Sequence, residues 1–423
     1  MRLQNCYITH EILLEILNIL RCTTKCDVLS CRLVCKRLSR VGEDIVFEDI
    51  ILAPDQHGFQ ALLDLSNSPL RYKVKMLYCY FEVFDAQMAT SLDLFAAKIN
   101  QREVQEFWWA KTSHDLENRH QILERDFKIY QQGFYWQTLL EGGMYNTPVF
   151  AAALNRLENL RGISLSQSYA HSAHNEPDIG DDVLPDVTIS PVAHAIFEAL
   201  VEALLQCQGH IQELTLGYFP EEETRSTYDW GLVGMIQSLD PASYPRYQQA
   251  FGKLKRLTTV LPWTMGEDEE LNYSGLSTLI RSAQSLESLC LTSLYQSLDS
   301  FPIDFLRSLH VPKLTTLILC NATFKEPTDL LALLWMHAET LQNVDFSFLV
   351  LEHDSWKMVF SKMRSVLSLE SCAMQGLCVR NDGIDEEICL AEQSCLFYQT
   401  AENFIRRKTE DDPFYLLQVA TVK

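Results

Sequence analysis

The segments LESLCL (286–291) and LTTLILC (314–320) decide how the chain is read. Each places an apolar residue first, fourth and sixth, at Leu286, Leu289 and Leu291 and again at Leu314, Leu317 and Leu319. Residues two apart share one face of an extended strand, and the residue between them points the other way. Moving outward, the same frame stands at Leu341, Val344 and Phe346, at Ile211, Leu214 and Leu216, at Leu160, Ile163 and Leu165, and in weaker form at Leu254 and Leu257. VLSLESCAM (366–374) supplies Leu367 and Leu369, followed by Cys372. The central residues Leu289, Leu317, Val344 and Leu367 are 28 (317 minus 289), 27 (344 minus 317) and 23 (367 minus 344) residues apart.

Periods in the twenties point to leucine-rich repeats, with one short strand and one helix in each. The segments between frames suit the helices: PVAHAIFEALVEALLQC from Pro191, SGLSTLIRSAQ from Ser274, FPIDFLRSLH from Phe301, EPTDLLALLWMHAE from Glu326 and DSWKMVFSKM from Asp354. Pro191 and Pro327 stand where a first helical turn tolerates proline, and Ser190, Glu326 and Thr328 offer start signals. A single strand and helix cannot bury both faces, whereas stacked neighbours can. The expected fold class is therefore α/β, a curved solenoid with parallel strands inside and helices outside.

Its concave face would carry the residues between the core leucines. These are Gly162, Ser164 and Ser166, Glu213, Thr215 and Gly217, and finally Ser368 and Glu370 at the two ends. In the middle stand Ser288, Cys290 and Thr292, Thr316, Ile318 and Cys320, and Asn343, Asp345 and Ser347, which form the expected target-binding set. They are small, polar and mildly acidic, a composition that suits contact with another macromolecule.

The N-terminal stretch ITHEILLEILNILRCTTKCDVLSCRLVCKRLSRV (8–41) reads as two short amphipathic helices joined by a polar turn. Ile8, Ile12, Leu13, Ile16, Leu17 and Leu20 recur at helical spacing, and Leu29, Leu33, Val34, Leu38 and Val41 do the same. Thr9 and Asp27 are the expected N-caps, with Glu11 in the first turn. Helices this short need a third element or a partner against their apolar face. The order E-I-L-x-E-I-L, a polar turn, then D-V-L-S-C-R-L-V-C-K-R-L-S-R-V resembles the F-box, whose Leu-Pro opening is replaced here by Ile8 and Thr9. That resemblance implies docking on the Skp-type adaptor of a cullin ubiquitin ligase through Ile8, Ile12, Ile16, Leu20, Leu29, Leu33, Val34 and Leu38. Next come an expected strand at Ile50 to Leu52, a turn around Pro54, a helix from about Phe59 to Leu65 and a strand carrying Val74, Leu77 and Cys79, a layout that resembles many fungal F-box proteins.

Two long helical stretches follow. The second carries Leu116, His120, Leu123, Phe127, Tyr130, Phe134 and Gln137 at spacings of three and four, with Trp108 and Trp109 nearby. His120 and both tryptophans read as core residues. Acidic, turn-rich insertions from His171, Tyr218 and Met265 read as surface loops. The expected division is a helical domain (1–52), a repeat array (53–387) and a capping segment (388–423) built on an amphipathic stretch from Ile388 to Ile405.

The chain has 423 residues and a formal charge of −21, from 56 acidic against 35 basic side chains. This disfavours nucleic acid and anionic membranes, which recruit basic surface, and favours a basic protein target. The expected localisation is cytoplasmic or nuclear, because the N-terminus becomes polar too early for a signal peptide and no run of about eighteen apolar residues appears. The 13 cysteines, an odd number scattered through regular elements, suit reduced thiols. Cys22, Cys26, Cys31 and Cys35 sit four, five and four residues apart, unlike paired C-x-x-C knuckles, and His171, His174 and Asp178 form no stronger set, so no metal is expected. Gly142-Gly143 lacks the setting of a phosphate loop, and no HExxH, GxSxG or dinucleotide fingerprint occurs. The reading is a non-enzymatic, cofactor-free subunit that joins the Skp-type adaptor and cullin ligase core to a target. Its alternatives are a repeat scaffold with a degenerate F-box and a transferase or hydrolase hidden in the early insertions.

Overall fold

Alternating burial along short strands builds the molecule. The computed structural model describes residues 10–23, 25–52, 56–84, 86–97, 113–141, 147–169, 191–206, 211–217, 239–261, 273–293, 305, 309–352, 356–380, 387–389 and 395–414, and structural statements concern these. The strands in chain order are β1 (Asp49–Leu52), β2 (Met76–Val83), β3 (Gly162–Tyr169), β4 (Glu213–Leu216), β5 (Arg256–Leu261), β6 (Ser288–Ser293), β7 (Thr316–Cys320), β8 (Thr323–Phe324), β9 (Asn343–Ser347), β10 (Val350–Glu352), β11 (Ser371–Gln375), β12 (Cys378–Arg380) and β13 (Glu387–Cys389). Nine of them form one sheet in the order β1-β2-β3-β4-β5-β6-β7-β9-β11, and every neighbouring pair is parallel.

Each strand lies beside its predecessor and the sheet ends on β1 and β11. The order never reverses, as a doubly wound sheet would require, and the ends do not meet to close a barrel. Register places Leu289 beside Leu317, Leu317 beside Val344, and Val344 beside Cys372. The leucine frames are thus the inward rows of one continuous core, which also takes in Leu276, Leu279 and Ile280 from a covering helix.

Two features depart from the sequence reading. The last frame is displaced: Cys372 and Met374, not Leu367 and Leu369, are the inward residues of β11, so the true step from Val344 is 28 residues (372 minus 344). Ser368 and Glu370 therefore precede the strand, and its open-face residues are Ser371, Ala373 and Gln375. The last three rungs also hold a second strand each: β8, β10 and β12 form a parallel ladder of their own, ended by β13 running antiparallel to β12.

A left-handed residue follows the main strand in four rungs, at Gly217 (φ 86°), Asn321 (φ 54°), Phe348 (φ 55°) and Gly376 (φ 58°). In the last three the reversal leads into the second ladder. There the Asn321 and Phe348 amides each donate across to the next rung, to Ser347 O and Gln375 O at 2.9 Å.

Thirteen helices are used here: α1 (His10–Thr23), α2 (Lys25–Arg32), α3 (Lys36–Val46), α4 (Gln56–Asn67), α5 (Ala86–Thr90), α6 (Ser113–Glu141), α7 (Thr147–Arg156), α8 (Pro191–Gln206), α9 (Tyr244–Phe251), α10 (Ser274–Ser282), α11 (Pro327–Met336), α12 (Trp356–Val366) and α13 (Cys395–Ile405). Helices α8, α10, α11 and α12 fall on segments that periodicity marks, and of the one expected from Phe301 the structure describes Phe305, Leu309 and His310. Arg246 of α9 pairs with both Glu198 and Glu202 on α8, with Nε 3.0 Å from Glu202 Oε1. Phe397, Ala401 and Ile405 of α13 join the main core, so this helix packs at the β11 end of the array.

Helix α6 forms a satellite core in which Met88, Ala89, Phe95 and Tyr130 meet Phe84, Leu123, Phe127 and Phe134. Gln137 clamps the Phe84 backbone there, accepting from its N–H at 2.7 Å and donating to its carbonyl at 3.2 Å. Trp108, Trp109, the His120 side chain, Gly142-Gly143, Pro54 and the acidic insertions lie outside the described residues. Among the described residues no helix is long and apolar enough to cross a membrane.

Candidate functional site

The N-terminal unit has three helices where periodicity suggested two. The second apolar run breaks at Leu33, Val34 and Cys35, which form a turn between α2 and α3. Asp27 lies inside the first turn of α2 and is not its cap; Cys35 caps α3 instead, its Sγ accepting from the Leu38 amide at 3.5 Å. Ile8 and Thr9 lie outside the described residues. The third helix supplies what two short helices lacked: Leu17, Val28, Val41, Ile45 and Val46 make a core, flanked by Leu13, Leu14, Leu20, Cys31, Leu38 and Phe47. Arg32 ties α2 to α3, lying over the Phe47 ring at 5.2 Å and 3.7 Å from Glu43.

That core uses one stripe of α1. The adjoining stripe, Ile12, Ile16 and Ile19, is also apolar and is exposed, Ile19 at 61%. An amphipathic helix normally presents polar residues outward, so an apolar outer stripe on a small unit is an unspent surface. Leu29 is exposed as well, and the turn carries Leu33 at 89% and Val34 at 73% exposure. Of the eight residues expected to dock, five (Ile12, Ile16, Leu29, Leu33 and Val34) are therefore presented, while Leu20 and Leu38 pack inside the unit. Ile19, three residues after Ile16, is exposed beside it and was not among the expected residues. The unit joins the sheet through α3, with Lys73 paired to Asp44 and Lys75 Nζ 2.6 Å from Glu48 Oε1.

The second candidate is the sheet face opposite the leucine core. Ser288, Cys290, Thr292, Thr316, Ile318, Cys320, Asn343 and Asp345 are half-exposed there, and Ser347 is buried. Register aligns them in rows running Ser288, Thr316, Asn343, Ser371 and Cys290, Ile318, Asp345, Ala373 and Thr292, Cys320, Ser347, Gln375. Side chains bond along and between these rows: Asn343 Nδ2 donates to Thr316 Oγ1 at 3.3 Å, Ser371 Oγ to Asn343 Oδ1 at 2.7 Å, Gln375 Nε2 to Ser347 Oγ at 3.1 Å, and Ser347 Oγ to Asp345 Oδ1 at 3.2 Å. At the other end the expectation fails. Gly162, Ser164 and Ser166 are buried, with Met76 and Glu213 lying against Gly162. Arg256, 3.2 Å from Glu213, brings a cation to this face that the weak LKRLTTV frame had hidden.

Cys290 and Cys320 are the reactive-looking groups on this face. They stand at diagonal positions on adjacent strands, and Cys290 Sγ is 3.8 Å from Thr292 Oγ1. The adjoining Cys320 thiol together with desolvation pushes the Cys290 thiol up, while the Cys290 thiol beside it holds Cys320 below the ordinary thiol range. Among the described residues no group of three or more His, Cys, Asp or Glu side chains is placed to hold a metal ion. No family model matches the chain, and no curated protein matches it at a significant level.

Proposed function

We propose that the chain is a substrate-recognition subunit of a Skp/cullin/F-box ubiquitin ligase. The N-terminal helices dock on the Skp-type adaptor, and the stacked rungs, read as leucine-rich repeats of a curved solenoid, hold a target protein on their polar face. The observation that carries this reading is the split use of apolar residues in the first three helices: one set fills an internal core while Ile12, Ile16, Leu29, Leu33 and Val34 stay outside. The order of residues there also resembles that of an F-box. Such a subunit works by position, since holding target and conjugating enzyme together raises effective concentration without a reactive side chain.

The test is affinity for a recombinant Skp-type adaptor. Fully burying an exposed leucine or valine is worth roughly 1.5–3 kcal/mol. Leu33→Asp with Val34→Asp should therefore weaken binding by about 100-fold or more, since each 1.4 kcal/mol is tenfold. The variant should fold as the parent does, because both side chains are exposed. An unmodified chain that does not bind the adaptor supports the scaffold reading, for which the Ile8-Thr9 departure from Leu-Pro is the motive.

A further inference from the structure

A left-handed backbone suits glycine and asparagine, and three of the four rungs that use one place Gly217, Asn321 or Gly376 there. The fourth places Phe348, between Asn321 and Gly376, at φ 55°. A bulky side chain in that conformation is an outlier, and outliers of this kind gather where a ligand is held. The core gains little from it, since the ring lies against Gly376 and is 46% exposed. Phe348 directly follows β9, so it stands at the rim of the open face, three residues from Asp345. Of the residues in the three rows that cross β6, β7, β9 and β11, Asp345 is the sole carboxylate and none is basic. Glu213, at the far end of the face, is answered by Arg256 at 3.2 Å, whereas among the described residues no lysine, arginine or histidine pairs with Asp345. Its Oδ1 accepts from Ser347 Oγ at 3.2 Å, and the buried Ser347 accepts in turn from Gln375 Nε2 at 3.1 Å, so the carboxylate is held in place by a chain of two bonds. A carboxylate has about four acceptor sites, and Ile318 and Ala373, on either side in its row, offer no donor.

We propose that Asp345 and Phe348 form an anchor for one arginine of an extended segment of the target protein, its stem crossing the Phe348 ring and its guanidinium pairing with the Asp345 carboxylate. The anchor rests on the reading of this face as the surface that holds the target. Strand residues rise about 3.3 Å each, so the two side chains leave the backbone about 10 Å apart, a span that a long, flat arginine side chain bridges from the rim inward. A planar fork that donates two parallel bonds suits a held carboxylate better than the point charge of lysine. The formal charge of −21 draws a cationic segment toward the chain before contact.

The probe is a bead-borne library of random octapeptides with capped ends, sorted with the fluorescently labelled full chain and followed by anisotropy. Selected peptides should carry arginine at one fixed place, and citrulline there, the neutral isostere, should weaken binding by about tenfold or more. Asp345→Asn should weaken the arginine peptide by the same factor and leave the citrulline peptide unaffected, as a double-mutant cycle requires of a direct pair. Asparagine keeps an acceptor for Ser347, so this variant should fold as the parent does. Phe348→Asn, which gives the rung the residue type of Asn321, should keep the fold and weaken the arginine peptide by about threefold or more. Peptides with no preferred cation, or an arginine whose contribution survives in Asp345→Asn, would overturn the anchor. Each chain is also titrated with recombinant Skp-type adaptor. Adaptor binding without arginine selection overturns the anchor and leaves the ligase reading standing; arginine selection without adaptor binding does the reverse.

Discussion

Replacing Gly376 tests the rung turns quantitatively. Gly376 sits at φ 58°, and a Cβ there would lie 2.5 Å from Phe348 Cδ1 and 2.8 Å from Cε1. An L-residue in this left-handed conformation costs roughly 1–2 kcal/mol. The steric part is smaller, because the Phe348 ring is 46% exposed and can swing toward solvent; losing half of a side chain's contact area is worth about 1 kcal/mol. Gly376→Ala should therefore cost about 2–3 kcal/mol in the parent. In a Phe348→Ala background the ring is gone and only the backbone part remains, about 1–2 kcal/mol. The coupling of about 1 kcal/mol is what a double-mutant cycle reads. The assay is native-state hydrogen exchange over residues 343–380, which reports the opening free energy of these rungs and avoids assuming that a stacked array unfolds in one step. Equal costs in the two backgrounds would refute the claim that Phe348 packs over Gly376.

Three further outcomes follow from the packing. Trp356→Phe removes the Nε1 donor that reaches Cys378 O at 2.9 Å and leaves a void in a fully buried site, so it should lower stability by roughly 1–3 kcal/mol and speed exchange at Cys378–Arg380. Burial pushes the His337 pKa down, and its neutral form uses both nitrogens, Nδ1 donating to Leu333 O at 3.0 Å and Nε2 accepting from the Val311 amide at 3.1 Å. The His337 contribution is thus complete above the unfolded-state value of about 6.5 and is lost as pH falls below it, by at most about 1.4 kcal/mol per pH unit. His310, stacked on it at 6.4 Å, adds to the lowering. Urea midpoints measured from pH 7.5 to 5 should fall more for the parent than for His337→Gln. Burial also pushes the Cys79 and Cys372 thiols up to about 12, so iodoacetamide should reach both only under denaturing conditions, a result read by mass spectrometry.

The parallel ladder was legible because the inward leucines alternate with polar residues at nearly constant spacing. The last rung shows where that signal fails. Cys372 and Met374 occupy the inward sites of β11, while Leu367 and Leu369 just before it imitate the frame, so counting leucines shifted the strand. The second ladder was invisible, since strands of two or three residues carry no period to detect. At the N-terminus, Leu33 and Val34 continued the helical spacing of apolar residues while facing outward at a turn, which hid the break between α2 and α3. Periodicity marks apolar residues without saying whether they face their own core or solvent. The same spacing covers Leu20 and Leu38, which pack against the internal core, and Ile19, which is exposed. Helices α7 and α9 escaped because they are short, though Thr147-Pro148 and Asp240-Pro241 stand at their approaches; Asp240 Oδ1 accepts from the Ala242 amide at 2.9 Å.

The most direct measurement is hydroxyl-radical footprinting of the full chain with and without saturating recombinant Skp-type adaptor, because it reads side-chain exposure residue by residue. Protection should fall on Ile12, Ile16, Ile19, Leu29, Leu33 and Val34, with the strand residues between Ser288 and Ser347 unchanged. Protection of the sheet face with those six left reactive, or no change at any position, would contradict the account.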